Sequence, residues 1–482
     1  MNTLSLEPGR RLRLLVAIAS YGRKNDSFLR RIIRNYQSLA MDVDVVVLSE
    51  APKEDLGAGV RVQVGLPSKN PWSLPFGHKP LFAENLDRYD LFAYSEDDME
   101  VTERNVQAFL QVTAALDADE IAGFLRYEVD SAGGWSMPEA HASAHWKPES
   151  VKRRGDVVIA EYSNEHAAFY LVTQGQLRKA IDSGGFLRGP CEGRYDMLCT
   201  AATDPYTNCG FRKVICVSAL EDFLIHHLPN RYVGQLGLPL PAFKEQIATL
   251  MEIGAGRHPA HTLCHSESRL MNGQWSKNYD EKPNADLLAA VPPEARTVLS
   301  IGCGSGDMEA RLIQRGLTVT ALPLDSVIGA TAARHGIEVV YGDWQGGLRQ
   351  LSRRKFDCVL ISNLLHLQPD PGRFLEACVQ FVGDRGTLLV AGPNFGRLPN
   401  VIKRNFGMNG YRRLKQFAAS GLQLCGPGSL LPQIKKLGLD SATVQWLDQE
   451  LSQGRFSRVK VPLGSWSARN WILRARRQPA AK

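Results

Sequence analysis

Three consecutive carboxylates follow an apolar stretch in the first half of the chain. Residues 91–94 read LFAY, and Glu96, Asp97 and Asp98 follow after Ser95. Carboxylates this close repel one another, and a divalent cation would relieve that repulsion, because Mg²⁺ and Mn²⁺ prefer oxygen ligands and bridge diphosphates. A solvated acidic turn is the simpler interpretation of these residues alone. The local sequence therefore leaves a cation site and a solvated turn open.

Other polar residues follow apolar strands in the same half. Residues 19–23 (ASYGR) end a first strand, Ser49 and Glu50 end a second, and two adjacent histidines follow an apolar stretch near residue 224. In this order the motifs resemble the glycosyltransferases of GT-A fold, over about residues 12–235. The resemblance implies a nucleotide-sugar donor, bound by Ser20, Tyr21, Arg23, Glu50 and Asp97. It also implies a Mn²⁺ or Mg²⁺ ion whose ligands come from Glu96, Asp98 and one of His226 and His227, with two structural histidines as the competing interpretation.

Two further acids lie between these motifs, four residues apart. On a helix that spacing would place Glu192 and Asp196 on one face. An inverting sugar transfer needs a carboxylate to accept the proton of the acceptor hydroxyl. Asp196 is therefore the first candidate base and Glu192 the second, with ordinary surface acids as the competing interpretation.

A glycine-rich loop stands out in the second half of the chain. Residues 298–306 read VLSIGCGSG, a buried strand that runs into Gly302, Gly304 and Gly306. Glycine permits the tight turn and lets a ligand approach backbone that a Cβ would block. The following helix would turn its first N–H groups toward a polar ligand. This pattern alone is shared with nicotinamide and flavin enzymes.

More motifs follow the loop in register. Asp343 follows a third strand and Asn363 a fourth. The series resembles the class I S-adenosylmethionine-dependent methyltransferases, over about residues 285–395. The resemblance implies that the glycine loop and Asp343 bind S-adenosylmethionine and that Asn363 lies beside the transferred methyl. His366, just past the fourth strand, is the candidate base, and a structural histidine is the alternative.

Two positions depart from the methyltransferase pattern. Ser300 stands where the family usually has an acid before the glycines, and Pro323 stands where an acid usually grips the ribose. Charge-assisted hydrogen bonds contribute about 1.5–3 kcal/mol each, so the loss matters for cofactor affinity. Asp325, two residues later, is the candidate replacement. The competing interpretation is a doubly wound domain that has lost methyl transfer.

Strands alternate with helices in both halves, which predicts an α/β protein of two domains. Residues 254–284 separate the halves, are rich in Gly, His, Ser and Asn, and lack apolar periodicity. We predict a GT-A-like domain over residues 1–255, a linker over 256–284 and a Rossmann-like class I methyltransferase domain over 285–482. In that family, insertions such as residues 396–436 cover the acceptor.

Composition limits the class of protein further. The 482 residues are 44% hydrophobic with a net charge of +7, which predicts a globular chain and gives no indication of a nucleic-acid partner. Nine cysteines in no framework spacing and no membrane-length apolar run predict a cytoplasmic, reduced protein. Residues 451–482 contain eight Lys and Arg and no Asp or Glu. An ordinary solvated surface is the simpler interpretation of such a tail, and peripheral contact with an anionic membrane face or with an acidic partner are the alternatives.

The preferred interpretation is a bifunctional glycosyltransferase and methyltransferase of glycan biosynthesis. It would use a nucleotide-sugar donor, S-adenosylmethionine and a glycan or lipid-linked saccharide acceptor. One alternative keeps only the methyltransferase active, with a silent carbohydrate-binding N-terminal domain. Another is a nucleotide-responsive scaffold without enzymatic activity.

Overall fold

A computed structural model describes residues 10–447 and 464–478. The chain divides into two compact units, residues 1–257 and 258–482. Within the described ranges no helix is both long and apolar enough to cross a membrane.

The N-terminal unit mixes strands and helices. Its strands are β1 (Arg13–Ala19), β2 (Asp42–Ser49), β3 (Val60–Val64), β4 (Leu91–Glu96), β5 (Met99–Glu100), β6 (Glu120–Ala122), β7 (Leu125–Val129), β8 (Trp135–Met137), β9 (Trp146–Arg154), β10 (Val157–Tyr162), β11 (Phe169–Thr173), β12 (Arg212–Cys216), β13 (Leu224–His227) and β14 (Leu238–Pro239). Its helices are α1 (Asp26–Gln37), α2 (His78–Glu84), α3 (Glu103–Thr113), α4 (Gln174–Asp182), α5 (Met197–Thr207) and α6 (Leu240–Gly254), with 3₁₀ turns at Pro71–Gly77, Leu86–Arg88 and Val217–Phe223.

The main sheet of this unit has the order β3-β2-β1-β4-β11, parallel except for β11. Its central strands are continuous apolar runs because both faces of the sheet are covered. The strand order reverses between β1 and β4. Ligands of open α/β sheets bind outside the carboxyl ends of the strands at such a reversal, which here is the position of Ser20 and Glu96.

Two smaller sheets complete the unit, with the orders β6-β12-β10-β9 and β14-β8-β7-β13-β5. The second of them matters for the site. In it β13 pairs antiparallel with β5, which sets His226 opposite Glu100 and His227 opposite Met99. The adjacent histidines therefore lie one strand away from the residues that follow Asp98.

The C-terminal unit repeats the alternation. Its strands are β15 (Thr297–Cys303), β16 (Thr318–Pro323), β17 (Glu338–Val339), β18 (Phe356–Ser362), β19 (Val382–Pro393), β20 (Leu439–Leu447) and β21 (Asn470–Arg477). Its helices are α7 (Ala285–Ala290), α8 (Asp307–Gln314), α9 (Ser326–Ala333), α10 (Trp344–Gln350), α11 (Pro371–Val379), α12 (Leu398–Phe406), α13 (Phe417–Ser420) and α14 (Pro427–Lys436), with 3₁₀ turns at Met271–Gly273, Leu365–Leu367 and Met408–Lys415.

These seven strands form one sheet in the order β17-β16-β15-β18-β19-β21-β20. The first five are parallel to one another, and β21 is antiparallel to both of its neighbours. The order reverses between β15 and β18, so the glycine loop and Asn363 meet at the position where a ligand is expected. The α/β class predicted from sequence is confirmed here.

The segment predicted to be a linker differs from the expectation. Leu263, Leu270 and Tyr279 are buried in the core of the C-terminal unit. The Leu263 backbone N–H donates to the Leu324 carbonyl at 2.8 Å. Apolar residues spaced seven and nine apart follow neither the helical nor the strand period, so the sequence pattern hid them. Residues 258–284 are a folded strap of the C-terminal unit.

Candidate functional site

The acidic residues of the N-terminal unit form a buried cluster. Asp97 accepts hydrogen bonds from Ser20 Oγ at 2.6 Å and from Asn25 Nδ2 at 2.7 Å. Asn25 Nδ2 also donates to Asp98 at 3.2 Å. Asp97 and Asp98 are 7% and 6% exposed. The solvated acidic turn, which the local sequence left open, is therefore wrong.

Burial makes this cluster costly to ionise. It raises the pKa of Glu96 to about 8, and the charge of Asp98 acts in the same direction while Arg126 opposes it. Burial also raises the pKa of Asp97 to about 6, against the hydrogen bonds from Asn25 and Ser20. Within the described part of the chain, Glu96 Oε1 and Asp98 Oδ1 are buried without a hydrogen-bond partner. Two buried oxygens in this state fit a cation.

The two adjacent histidines have different surroundings. His227 Nε2 lies 3.5 Å from Asp98 Oδ2, and its Nδ1 lies 2.5 Å from Glu128 Oε1. His226 turns away, because its Nε2 lies 3.0 Å from Asn230 Oδ1 and its ring stacks on Tyr127 at 4.9 Å. An imidazole held by a carboxylate through one nitrogen is oriented as metal-bound histidines are. The structure thus brings His227, and not His226, to the acid cluster.

Residues 10–447 and 464–478 contain no complete set of metal-ligating side chains. No three His, Cys, Asp or Glu side chains in these ranges are placed to hold an ion together. The predicted metal is therefore not supported as a preformed site. Mg²⁺-type ions are commonly bound by one or two carboxylates together with substrate phosphates, so an incomplete set is compatible with a cation that arrives with a diphosphate.

The remaining predicted donor-binding residues lie around the end of β1. Glu50 Oε1 accepts the Gly22 backbone N–H at 2.9 Å, which ties the ends of β1 and β2 together. Tyr21 and Arg23 are exposed beside them. A cavity also opens at the carboxyl ends of β2 and β3, with Lys79 and Arg188 among its lining residues. Sequence reasoning missed these two, because neither belongs to a motif.

The two candidate bases of the N-terminal unit are not equivalent. Helix α5 begins at Met197, so Glu192 and Asp196 do not share a helix face as the spacing predicted. Glu192 is exposed in the preceding loop, whereas Asp196 caps α5 by accepting the Cys199 backbone N–H at 2.9 Å. Asp196 lies close enough to Glu96 to add to the factors that raise its pKa. Only Asp196 belongs to the cluster.

The raised pKa of Glu96 predicts how the stability of the N-terminal unit depends on pH. Its pKa of about 8, against an ordinary 4.5, means that the folded protein holds a proton that the unfolded chain releases. The contribution of Glu96 to stability is therefore fully present below about pH 4.5 and is lost as the pH rises from about 5 to 8. We expect the midpoint of thermal unfolding to fall by several degrees over that window, since 1 kcal/mol corresponds to about 2–4 °C in a domain of this size. Glu96→Gln should remove most of the slope, and an unchanged slope would contradict the assignment.

The glycine loop of the C-terminal unit packs against Tyr279 of the strap. A Cβ on Gly304 would lie 2.2 Å from the Tyr279 carbonyl oxygen, and the Ser305 backbone N–H donates to that oxygen at 2.8 Å. The close approach at Gly304 is thus made by the strap, where the sequence predicted a cofactor. Gly306 has a φ of 91° and caps α8.

We expect Gly304→Ala to destabilise the C-terminal unit, because the added methyl meets a fixed backbone oxygen. Overpacking of this kind costs about 1–3 kcal/mol. Gly428→Ala is the matched control, since nothing lies within 4 Å of its Cβ position. Chemical denaturation of both variants measures the effect, and equal stability of the two would contradict the packing argument.

A small cavity of about 30 Å³ lies between the glycine loop and the strap. Lys277, Glu281 and Lys282 from the strap line it together with residues 300–309 of the loop and α8. Lys277 forms an ion pair with Glu281, and Asn363 Nδ2 donates to Glu281 at 2.8 Å. Asn363 is thereby placed beside the cavity. The lining carries charge of both signs, which matches a zwitterionic ligand.

Sequence reasoning missed one acid in this cavity. Ser300 Oγ donates to Glu309 Oε1 at 2.6 Å, both residues are buried, and both line the cavity. Glu309, in the first turn of α8, therefore supplies a carboxylate beside Ser300, which stands where the resembling family usually has an acid. The signal in the sequence was an acid three residues after the last loop glycine.

The other predicted acids cap helices. Asp325 is buried beneath the strap and accepts the backbone N–H groups of Val327 and Ile328 at 2.7 and 2.9 Å. Asp343 is exposed and accepts the Gly346 N–H at 2.5 Å. An acid after a strand is equally typical of a helix cap and of a ribose or adenine contact, so the sequence did not separate these roles.

His366 occupies a structural position. It is buried, and its Nε2 lies 2.8 Å from the Trp275 carbonyl oxygen of the strap. Burial lowers its pKa to about 4, so the ring is neutral near pH 7. Because a carbonyl oxygen can only accept a hydrogen bond, Nε2 carries the proton of the neutral ring and cannot itself act as the base. The predicted role as a base is therefore unsupported by its surroundings, and His366 holds the strap.

Similar proteins match the C-terminal unit. Residues 283–403 match the family model described as "Methionine biosynthesis protein MetW". A ubiquinone biosynthesis O-methyltransferase of Caulobacter vibrioides is 32% identical over 111 residues, which are 22% of this chain and 44% of that protein. One from Pseudomonas entomophila is 30% identical over 125 residues, which are 23% of this chain and 54% of that protein. The chain spans about half the length of these curated relatives.

Among solved structures, an S-adenosylmethionine-dependent methyltransferase from Mesorhizobium loti is 18% identical, and the match covers 40% of this chain and 96% of that one with a TM-score of 0.31. The family model and the curated relatives support a class I S-adenosylmethionine-dependent methyltransferase domain in the C-terminal unit, as the sequence predicted. The GT-A assignment of the N-terminal unit stays a prediction.

Proposed function

We propose that the C-terminal unit transfers a methyl group from S-adenosylmethionine to an oxygen acceptor. The observation that carries this proposal is the cavity at the reversal of strand order, lined by the glycine loop and by charges of both signs. The amino-acid end of S-adenosylmethionine is a zwitterion and needs both. The curated relatives are named O-methyltransferases, which favours oxygen over nitrogen as the acceptor atom.

Each lining group has a task in this proposal. Glu309 faces the ammonium of the cofactor, and Lys277 of the strap faces its carboxylate. When bound, the sulfonium would supply the methyl group: the S–CH₃ bond breaks, the O–CH₃ bond forms and the hydroxyl proton leaves to water, so the protein's main contribution is proximity and orientation. Because Glu281 is already held by Lys277 and Asn363, the strap and the end of β18 define one wall together.

Calorimetric titration of the full chain with S-adenosylhomocysteine tests the proposal. Binding is expected, and an absence of binding at millimolar ligand would overturn it. The same outcome would favour a doubly wound domain that has lost methyl transfer, as in the scaffold alternative.

For the N-terminal unit we propose metal-dependent sugar transfer from a nucleoside diphosphate sugar. The buried acid cluster at the reversal between β1 and β4 carries this proposal, because two of its oxygens lack partners and His227 is oriented toward Asp98. Asp98 and His227 would hold Mn²⁺ or Mg²⁺, which neutralises the charge of a departing diphosphate. Asp97, fixed by Ser20 and Asn25, sets the position of the cluster, and Asp196 is the candidate base.

Together the two units would modify one glycan or lipid-linked saccharide. A shared chain raises the effective concentration of one unit's product at the other. The cavity near Lys79 and Arg188 offers apolar surface and the Arg188 guanidinium to a nucleotide, since Lys79 is buried in an ion pair with Asp204. The donor sugar and the methylated hydroxyl follow from substrate screening of the full chain.

A methyltransferase with a silent, sugar-binding N-terminal unit is the second candidate. The incomplete ligand set among the described residues favours it. Incubation of the full chain with nucleotide-sugars and Mn²⁺ separates the candidates: release of nucleoside diphosphate that Asp98→Asn abolishes supports transfer, whereas sugar binding without release supports the silent unit.

A further inference from the structure

Helix α12 of the C-terminal unit presents an apolar stripe to solvent. Leu398, Ile402 and Phe406 are spaced four residues apart, which places them on one helix face, and all three are exposed. None of the helix residues is buried. The Leu398 backbone N–H donates to the Trp466 carbonyl at 3.0 Å, so Trp466, whose side chain is also exposed, lies at the start of this helix. Phe406 and Trp466 are 74% and 68% exposed.

We propose that this apolar stripe, Leu398, Ile402, Phe406 and Trp466, binds the surface of an anionic membrane. A helix of this kind lies in the plane of the interface with its apolar face among the acyl chains. Tryptophan and phenylalanine are favoured at that depth. Three of its four residues lie outside residues 451–482, the basic tail that the sequence had indicated for membrane contact, and Trp466 lies within that tail.

Charge identifies the partner as a bilayer with anionic headgroups. Between residues 385 and 439 the chain has no Asp or Glu and nine basic residues, namely Arg385, Arg397, Lys403, Arg404, Arg412, Arg413, Lys415, Lys435 and Lys436. Juxtamembrane basic residues contribute about 1 kcal/mol each near such a surface. An acidic protein surface would also attract this charge, but it would not need four separately exposed apolar side chains.

The position of the stripe relates it to the cavity. Helix α12 follows the carboxyl end of β19, which is parallel to β18 and lies at the same edge of the sheet as the glycine loop. A membrane bound there would face the edge at which the cofactor is proposed to sit. If the methyltransferase proposal holds, this favours an acceptor presented by a lipid.

Sedimentation of the full chain with lipid vesicles tests the inference. We expect the protein to bind vesicles of phosphatidylcholine mixed with phosphatidylglycerol, and to bind pure phosphatidylcholine about tenfold more weakly. The double variant Ile402→Asp, Phe406→Asp should lose about tenfold or more of the binding, because both side chains are exposed and their change leaves the core intact. Thermal unfolding of the variant checks the fold.

Leu187→Asp, at a half-exposed leucine of the N-terminal unit, is the matched control and should bind as the wild type does. Unchanged binding by the double variant would overturn the inference and indicate the C-terminal basic residues instead. A double variant that changes only the oligomeric state would show a self-association surface, which also overturns it. Because no cofactor is present, these outcomes are independent of the methyltransferase proposal.

Discussion

Replacing Asp98 by Asn is expected to remove the metal-dependent part of nucleoside diphosphate binding. The variant keeps the shape of the side chain and removes one charge from the pair formed by Asp98 and His227. A lost charge-assisted contact contributes about 1.5–3 kcal/mol, which corresponds to a loss of about 10–150-fold in affinity. Titration calorimetry with uridine, guanosine and adenosine diphosphates, each with and without Mn²⁺, measures it.

Glu100→Gln is the control for that experiment. Glu100 lies two residues from Asp98, but its carboxylate is held by Arg31 at 2.6 Å and faces His226. It should therefore leave the metal-dependent affinity unchanged. Nucleotide binding that is equally tight without metal, or a wild-type titration by the Asp98 variant, would show that the buried acids serve the fold alone.

The fold class could be predicted because apolar runs and their alternation with helices depend on local sequence. The strands that end at Ala19, Glu96 and Cys303 are continuous apolar segments, so both sites were assigned to the carboxyl ends of parallel strands. Long-range pairing was not readable in the same way. The contact of Asp98 with His227 joins residues 129 positions apart in the chain.

The strap was missed for a related physical reason. Its buried residues are held by irregular backbone pairing, such as the hydrogen bond from Leu263 to Leu324, and such segments have no period. The same segment explains the corrected roles of Gly304 and His366, each of which contacts it. Motif-based roles assume that the space beside the motif belongs to a ligand, and here part of that space belongs to the chain.

The acidic residues of the C-terminal unit show most clearly where roles assigned from a family motif differ from the contacts in the structure. Asp325 and Asp343 follow strands as cofactor ligands do, yet both carboxylates accept backbone N–H groups at helix starts. Glu309 lies outside the motif and still lines the cavity. The resembling family has an acid at the position of Ser300. Here Ser300 donates a hydrogen bond to Glu309, so the carboxylate of Glu309 lies beside the position of that missing acid.

Replacing Glu309 by Gln is expected to weaken S-adenosylhomocysteine binding by about 10–150-fold, the equivalent of one charge-assisted contact of about 1.5–3 kcal/mol. The amide keeps an oxygen for Ser300 and removes the charge that would face the ligand's ammonium. Methylthioadenosine lacks the amino-acid end, so its affinity should not change. Calorimetry with the two ligands therefore separates a charge contact from a general loss of the site.

A relocation variant makes the same test in reverse. Ser300→Asp combined with Glu309→Gln returns the acid to the position where the resembling family has it, and it should recover most of the lost affinity. Glu338→Gln is the control, because that acid is paired with Arg354 at 2.7 Å on the surface. If Glu309→Gln weakens both ligands equally, or if relocation restores nothing, Glu309 supports the packing of Ser300 and does not contact the ligand. The affinity would then depend on one carboxylate, placed at position 300 or at position 309, the two ends of the same hydrogen bond. Misfolding of the variants cannot produce such a recovery.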